Sequence, residues 1–295
     1  MKNKNPDIEK NGCLFKSSLF DKDKPYPLRQ GWGEQKNISH KFSLLLLFSI
    51  ITAFAFSAPP KKDFYQIKIY HLKNNEQVSQ VINFLKNVYL PAMHRASIKN
   101  IGVLIPIGND TAVSKSVYVF IPFPSANSWI DITGKLDKDA AYKNGAKSFM
   151  EAAADNAPYE RMESVLLEAF AGQPRLVLPS SKNAERVFEL RSYESPTENL
   201  YEKKVAMFNT GGEIEIFNRL GFNPVFYGKV LAGNNMPNFM YMPIFENVEQ
   251  RSLQWKRFGE DAAWKDISSR PENENKVSVS HIDSILMYSA DFSDF

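Results

Sequence analysis

Tyr65-Gln66-Ile67-Lys68-Ile69-Tyr70 is answered 123 positions later by Phe188-Glu189-Leu190-Arg191-Ser192-Tyr193. Each stretch alternates in the period-two pattern of a β-strand. The same offset sets Asn100 on Asn223 and Tyr118 on Tyr241. An offset of 120 sets Met162-Glu163-Ser164-Val165-Leu166-Leu167 on Ile282-Asp283-Ser284-Ile285-Leu286-Met287. Four landmarks in one order describe a duplication. Its unit is a whole domain, longer than the roughly 20–50 residues of a solenoid repeat.

Working outward from each copy gives one succession of elements. In the first half, residues 64–70 read as a half-buried strand. Residues 76–97 read as a helix, with Val78, Val81, Ile82, Leu85, Val88 and Tyr89 at spacings of three and four and Pro91 bending or restarting it. Residues 101–107 and 116–123 are strands joined through Gly108-Asn109-Asp110. Residues 125–154 are helical, broken near Gly134 and Gly145, and 161–170 form the last strand. In the second half the strands are 187–193, 222–231, 238–245 and 277–288. Its helices are 198–220, interrupted at Asn209-Thr210-Gly211-Gly212, and 248–268.

The order β-α-β-β-α-β, twice, is that of the ferredoxin-like split unit, an α+β fold with both helices on one face of an antiparallel sheet. The open face needs a cover. Two such units can pack sheet on sheet and close a barrel, or stand apart on a tether. The short linker and the apolar strands favour packing. The expected organisation is a leader over 1–37, a signal peptide over 38–57, a first domain over 62–171, a linker over 172–185 and a second domain over 186–295.

The chain has 295 residues with a formal charge of +3, but the excess sits at the N-terminus. Residues 1–57 hold nine Lys/Arg and five Asp/Glu, which leaves 27 basic and 28 acidic residues in the body. A near-neutral body offers no electrostatic footprint for nucleic acid. The single cysteine, Cys13, is in the leader, so the body has no thiol for disulfide, nucleophile or thiolate metal chemistry.

Residues 42–56 are apolar and uncharged, with His40-Lys41 before them and the small-x-small stretch Ala55-Phe56-Ser57 at their end. This reads as a secretory signal cleaved near Ser57 or Ala58. The run is shorter than the roughly 20 residues of a membrane span, and Pro59-Pro60 follows at once. The polar residues 1–37 are either a long n-region or the product of a start assigned too far upstream. The second reading is preferred, and export to the periplasm or the extracellular space is the expectation.

The second half contains Met207-Phe208, Gly211-Gly212-Glu213-Ile214, Ile216-Phe217, Gly221-Phe222-Asn223-Pro224-Val225-Phe226-Tyr227, Met236-Pro237-Asn238, Tyr241-Met242, Trp255, Phe258, Asp261 and Trp264-Lys265. This set resembles the NIPSNAP family, and the first half looks like the degenerate partner domain of two-domain members. The resemblance implies a dimeric α+β barrel fold. It also implies kinship with a superfamily of small monooxygenases, haem-using enzymes and isomerases, without carrying over an activity.

Several side chains are candidates for a site. His94, opposite Phe217 in the repeat, is either an acid/base group or haem ligand, or a surface histidine. His281, opposite Arg161, shares a face with Val277, Val279 and Asp283 and touches a ligand if that face lines the barrel. Arg191 and Glu189, opposite Lys68 and Gln66, read best as a solvated face or an interdomain ion pair. A polar barrel interior is the other reading for them. Gly211-Gly212-Glu213 is either a helix N-terminus open to an anion or a kink for close packing. Trp255, Phe258 and Trp264 form a stripe that reads as core, with an aromatic-lined pocket as the alternative. The candidate ligand-binding set is Arg191, Glu213, Tyr227 and Trp255, and the candidate catalytic residues are His94 and His281. Phosphate-loop, dinucleotide, HExxH and GxSxG motifs are absent from the sequence. His71, His94 and His281 have no metal-ligand spacing, so no metal site is expected.

Two function classes follow. One is an exported protein that binds a small molecule or a partner protein. The other is a monooxygenase- or isomerase-type enzyme, cofactor-light or haem-using, with one pocket mainly in the second domain. The sequence requires no cofactor, and haem is one that the resemblance admits. The expected assembly is a monomer or a homodimer, with no nucleic acid and no membrane span after signal cleavage.

Overall fold

The computed structural model describes residues 60–180 and 183–295. The expected leader and signal peptide therefore lie outside the described residues. The first half runs β1 (Phe64–Leu72), α1 (Asn75–Phe84), a π-helical turn (Leu85–Tyr89), α2 (Leu90–Arg95), β2 (Gly102–Pro106), β3 (Lys115–Phe123), α3 (Ala126–Lys138), α4 (Ala140–Met150) and β4 (Arg161–Ala169). The second half runs β5 (Val187–Glu194), α5 (Glu198–Asn209), α6 (Glu213–Arg219), β6 (Tyr227–Ala232), β7 (Asn238–Tyr241), β8 (Ile244–Phe245), α7 (Val248–Glu260), α8 (Ala262–Ser268), α9 (Asn275–Ser278) and β9 (His281–Ser289).

Side-chain caps start most of these helices. The side chains of Asn74, Ser125, Asp139, Thr197, Asn247 and Asp261 accept the N–H groups that the first helical turn leaves free. The strands form one antiparallel sheet in the order β7-β6-β4-β1-β3-β2-β9-β5-β8, and β7 also pairs with β5, which closes a barrel. Each half supplies consecutive strands, and the seams β2–β9 and β4–β6 join the halves.

Alternation along each strand sends one set of side chains into the barrel and the other under the helices. Inside, Tyr65, Ile67, Phe120, Val165 and Leu167 meet Phe188, Leu190, Phe226, Val230 and Met287. The Phe120 and Phe226 rings stack at 4.8 Å, and Tyr65 lies 5.2 Å from each. Full burial of such side chains stabilises by about 1.5–3 kcal/mol each. Phe295 joins this core over Gly102, where a Cβ would come within 2.6 Å of its ring. Outside the barrel, each half's helices cover their own part of the sheet with a separate core.

The structure departs from the sequence expectations at defined places. β1 is covered on both faces rather than half-buried, because α1 and its continuation lie over Tyr70 and Leu72. The break between α3 and α4 falls at Asp139, whose extended backbone lets it cap α4, and Gly134 and Gly145 lie inside helices. The strand expected over 222–231 begins only at Tyr227. The stretch expected as 277–288 opens with α9, and its strand begins at His281. Tyr118 and Tyr241, aligned by sequence, face opposite sides of the sheet. Lys68 pairs with Val119 while Arg191 pairs with Tyr241, so the offset slips by one residue and reverses the face.

Candidate functional site beneath the second-half helices

Three neighbouring strands place Arg191, Tyr241 and Tyr227 in one row. Arg191 of β5 pairs with Tyr241 of β7, and Tyr241 pairs with Tyr227 of β6. All three face α5, α6 and α7. Glu189 and Tyr193 flank Arg191 on the same face. Arg191 and Glu189 therefore face neither solvent nor the barrel interior, because this half's helices lie over that side of the sheet.

Glu189 has no exposed surface and is fully engaged. It accepts hydrogen bonds from Arg251 at 2.7 and 2.8 Å, Trp255 Nε1 at 2.8 Å, Ser284 at 2.7 Å and Arg191 at 2.6 Å. Burial pushes its carboxyl up, but the bonds from Arg251, Ser284 and Trp255 and the charge of Arg191 outweigh that and hold it at about 2. Glu189 is a fixed anion whose role is to position Arg191. The Arg191 guanidinium also donates to Tyr193 OH at 3.0 Å and lies 4.7 Å from the Trp255 ring.

Glu213 is different. It opens α6 after Gly212, whose positive φ of 96° only glycine takes readily. A Cβ on Gly211 would lie 2.6 Å from the Met207 carbonyl, so the glycine pair is a close-packed kink. The kink turns Glu213 inward to 3% exposure, and its Oε2 has no hydrogen-bond partner. Burial raises its carboxyl well above the ordinary range, against the opposing pull of Lys204 and Arg191. An acid in this place contradicts an anion site at the helix N-terminus. Arg191 Nε and Tyr227 OH are also buried without partners. Lys204, equally buried, donates to Asn275 Oδ1 at 2.9 Å and so ties α5 to α9.

The compartment is aromatic. Tyr193, Phe208, Phe217, Phe239 and Tyr241 pack there, with Phe217 against Phe258 at 4.8 Å. Trp255, Phe258 and Trp264 form the expected core stripe over it, the Trp264 ring tilted against Phe258 with centroids 4.3 Å apart.

Arg191, Glu213, Tyr227 and Trp255 thus all belong to one compartment. The two histidines do not. His94 Nε2 bonds Asp294 at 2.9 Å on the first half, where Asp294 also accepts from Ile101 N–H. His281 Nε2 bonds Asp283 at 3.0 Å and is 58% exposed on the barrel face of β9. Val277 shares no strand face with it, since that residue is in α9. Both imidazoles are held by a carboxylate near the surface, 40% and 58% exposed, away from the compartment. The roles of Glu189, Lys204, Tyr193 and Tyr241 carried no sequence signal of their own, apart from the strand alternation that pairs Glu189 with Arg191.

Solved structures share this fold. A provisionally assigned monooxygenase from Lactobacillus acidophilus NCFM matches with a TM-score of 0.52 and 11% identity, over 77% of this chain and 94% of that one. Another, from Fusobacterium nucleatum subsp. nucleatum ATCC 25586, matches with a TM-score of 0.53 and 10% identity, over 77% and 92%. A chlorite dismutase from Candidatus Nitrospira defluvii, solved in complex with imidazole, is more distant at a TM-score of 0.42 and 9% identity, over 78% and 92%. No curated protein matches the sequence. The family model of NIPSNAP matches residues 188–294, the stretch that contributes every residue of the compartment except Phe170. The second half of this chain is a NIPSNAP domain.

Proposed function

We propose that the NIPSNAP domain binds a small oxygen-bearing organic molecule beneath α5, α6 and α7. Arg191 and Tyr227 would donate to its oxygen, and Glu213 would share a proton with it. One observation carries this reading: Glu213 Oε2, Arg191 Nε and Tyr227 OH are buried in one compartment without partners among the described residues. Buried polar atoms are nearly always paired, and leaving one unpaired costs about 1–3 kcal/mol. Three in one place amount to spare hydrogen-bonding capacity matched to a ligand's oxygen atoms.

A second reading, an isomerase-type enzyme, is favoured by Glu213 alone. A buried carboxyl with a raised pKa can give or take a proton near neutral pH. Arg191, held by Glu189, would stabilise the negative charge left when a proton is removed beside a carbonyl. The segment from α8 to α9, tied down by Lys204, would have to part for entry.

The exported state and the division into domains over 62–171 and 186–295 belong to the same proposal. The division is supported by the strand order, fourth-first-third-second in each half, with β7 and β8 together as the third strand of the second; the exported state rests on residues 42–58 of the sequence alone. The barrel closes within one chain, so closure itself needs no second copy. A monomer or a homodimer is compatible with that. Among the described residues no helix is long and apolar enough to cross a membrane.

The test is binding of 4-nitrophenol, whose visible absorbance reports ionisation. Saturable binding with a perturbed ionisation, weakened in Arg191→Met and altered in Glu213→Gln, is expected. Absence of binding by the wild-type chain to this phenol and to a panel of small carbonyl compounds would overturn the reading.

A further inference from the structure

The other face of the same sheet ends in a polar ring at one mouth of the barrel. Phe188 and Leu190 line the barrel interior, and period two continues that face to Ser192 and Glu194 at the end of β5. Met287 and Ile285 line it too, which continues to Asp283 and His281 at the start of β9. Glu194 and His281 are direct ladder partners, as are Ser192 and Asp283. One carboxylate oxygen of Glu194, one imidazole nitrogen of His281 and one carboxylate oxygen of Asp283 lie within 4.8 Å of one another.

Two further observations point to a missing partner at this place. Glu194 Oε1 is buried and has no hydrogen-bond partner among the described residues. Asn238, the ladder partner of Glu194 on β7, is 1% exposed and its Oδ1 is likewise unpaired, while its Nδ2 donates to Ser192. Two carboxylates around one imidazole need positive charge, and two orphaned oxygens need a donor or a cation. A metal ion answers both.

We propose that Glu194, His281 and Asp283 form a site for a divalent first-row transition cation such as Zn2+. One imidazole nitrogen with two carboxylate oxygens is a donor set suited to that class of ion. On binding, the contact between His281 and Asp283 is exchanged for bonds from both side chains to the ion.

The first half contains an internal control. The ladder positions equivalent to Glu194, His281 and Asp283 are His71, Arg161 and Glu163, by the pairings His71–Arg161 and Ile69–Glu163. There His71 Nε2 bonds Glu163 at 2.7 Å, but Arg161 occupies the place of His281 and cannot ligate. Glu163 is further engaged by Asn234 Nδ2 at 2.9 Å. Among the described residues the barrel therefore offers this set once, although it is nearly symmetric. Spacing along the sequence hides it, because its ligands come from strands at opposite ends of the second half.

The experiment is calorimetric titration of Zn2+ into the metal-stripped full chain, with Cys13→Ser throughout so that the only thiol takes no part. Co2+ absorbance provides a second readout for nitrogen ligation. One equivalent should bind, and His281→Ala and Glu194→Gln should each weaken binding roughly tenfold or more. Arg161→Ala and His71→Ala should leave it unchanged. Failure of the wild-type chain to bind, binding that survives in His281→Ala, or an equal loss in His71→Ala would each overturn the assignment. His281 is exposed, so its variant tests ligation rather than folding, and Glu194→Gln keeps the shape of the side chain.

Discussion

One row of the sheet, read across neighbouring strands beneath the helices, is Lys68–Val119–Val103 in the first half and Arg191–Tyr241–Tyr227 in the second. The backbone frame is the same and the chemistry is not. In the first compartment the sheet contributes the aliphatic Val103, Val117, Val119 and Ile121 around this row, while its tyrosines, Tyr70, Tyr89 and Tyr142, lie elsewhere in the same core. Phe239, Tyr241 and Tyr227 fill the second with rings, two of them bearing hydroxyls, around a guanidinium and a buried acid. Lys68 lies in its compartment with its Nζ 4.9 Å from the Tyr89 ring, and burial lowers its pKa to about 8. Arg191 has Glu189 to hold it in place. A fold that needs only packing at this row is satisfied by the first arrangement, so the second carries buried polar groups that packing does not require.

The largest difference between the halves should come from Glu189. Glu189→Ala leaves Arg191 and Arg251 buried without their anion and should cost about 3–5 kcal/mol by denaturant unfolding. Gln66→Ala, at the equivalent place, removes one bond to Ser164 and should cost no more than about 0.5–1.5 kcal/mol. Equal costs would break the comparison. Because the folded-state pKa of Glu189 is depressed to about 2, its contribution is fully present above about 4.5 and is lost as pH falls from there through 2. Acid unfolding of Glu189→Gln should lack that part of the pH dependence.

Gly211→Ala should be next. Its Cβ meets the Met207 backbone at 2.6 Å, and the overpacking should cost about 1–3 kcal/mol in thermal unfolding. In the first half Gly134→Ala meets nothing within 4 Å in a helix interior and should stabilise by about 0.5–1 kcal/mol. A stabilising Gly211→Ala would remove the steric reason given for the kink that buries Glu213.

Glu213→Gln should stabilise the chain at neutral pH. The carboxyl pKa is raised on folding, so the folded state binds more protons and stability falls as pH rises above 4.5, the ordinary value. The gain in Tm over wild type should grow with pH and vanish well below 4.5. A loss at all pH values would mean that Glu213 is paired and structural. The smallest effect is expected for Tyr227→Phe, which removes an unpaired hydroxyl and should be neutral or slightly stabilising, while weakening 4-nitrophenol binding.

The strands and helices were largely legible in the sequence because alternation and helical spacing are local. Arg191, Glu213, Tyr227 and Trp255 were singled out one by one, from strand pattern, a glycine pair and resemblance. The depth of Arg191 and Glu189 is not visible in the alternation of β5. A polar pair alternating with Phe188 and Leu190 looks like a solvated strand face, and only the helices packed over it show otherwise. His94 and His281 attracted notice as histidines, yet their partners Asp294 and Asp283 leave them outside the compartment. Glu194, by contrast, carries no signal in the sequence, since a glutamate ending a strand is ordinary until His281 is paired beside it.

The sequence alone determined the element order, the correspondence of β1 with β5 and of β4 with β9, and the family of the second half, because these depend on the period and identity of neighbouring residues. The tertiary structure decided which face each residue occupies, where the chain closes on itself, and which distant side chains share a buried volume. Those depend on register between strands far apart in the chain. A slip of one residue, invisible to composition and fatal to an alignment of Tyr118 with Tyr241, moves a hydroxyl from the barrel to the helices.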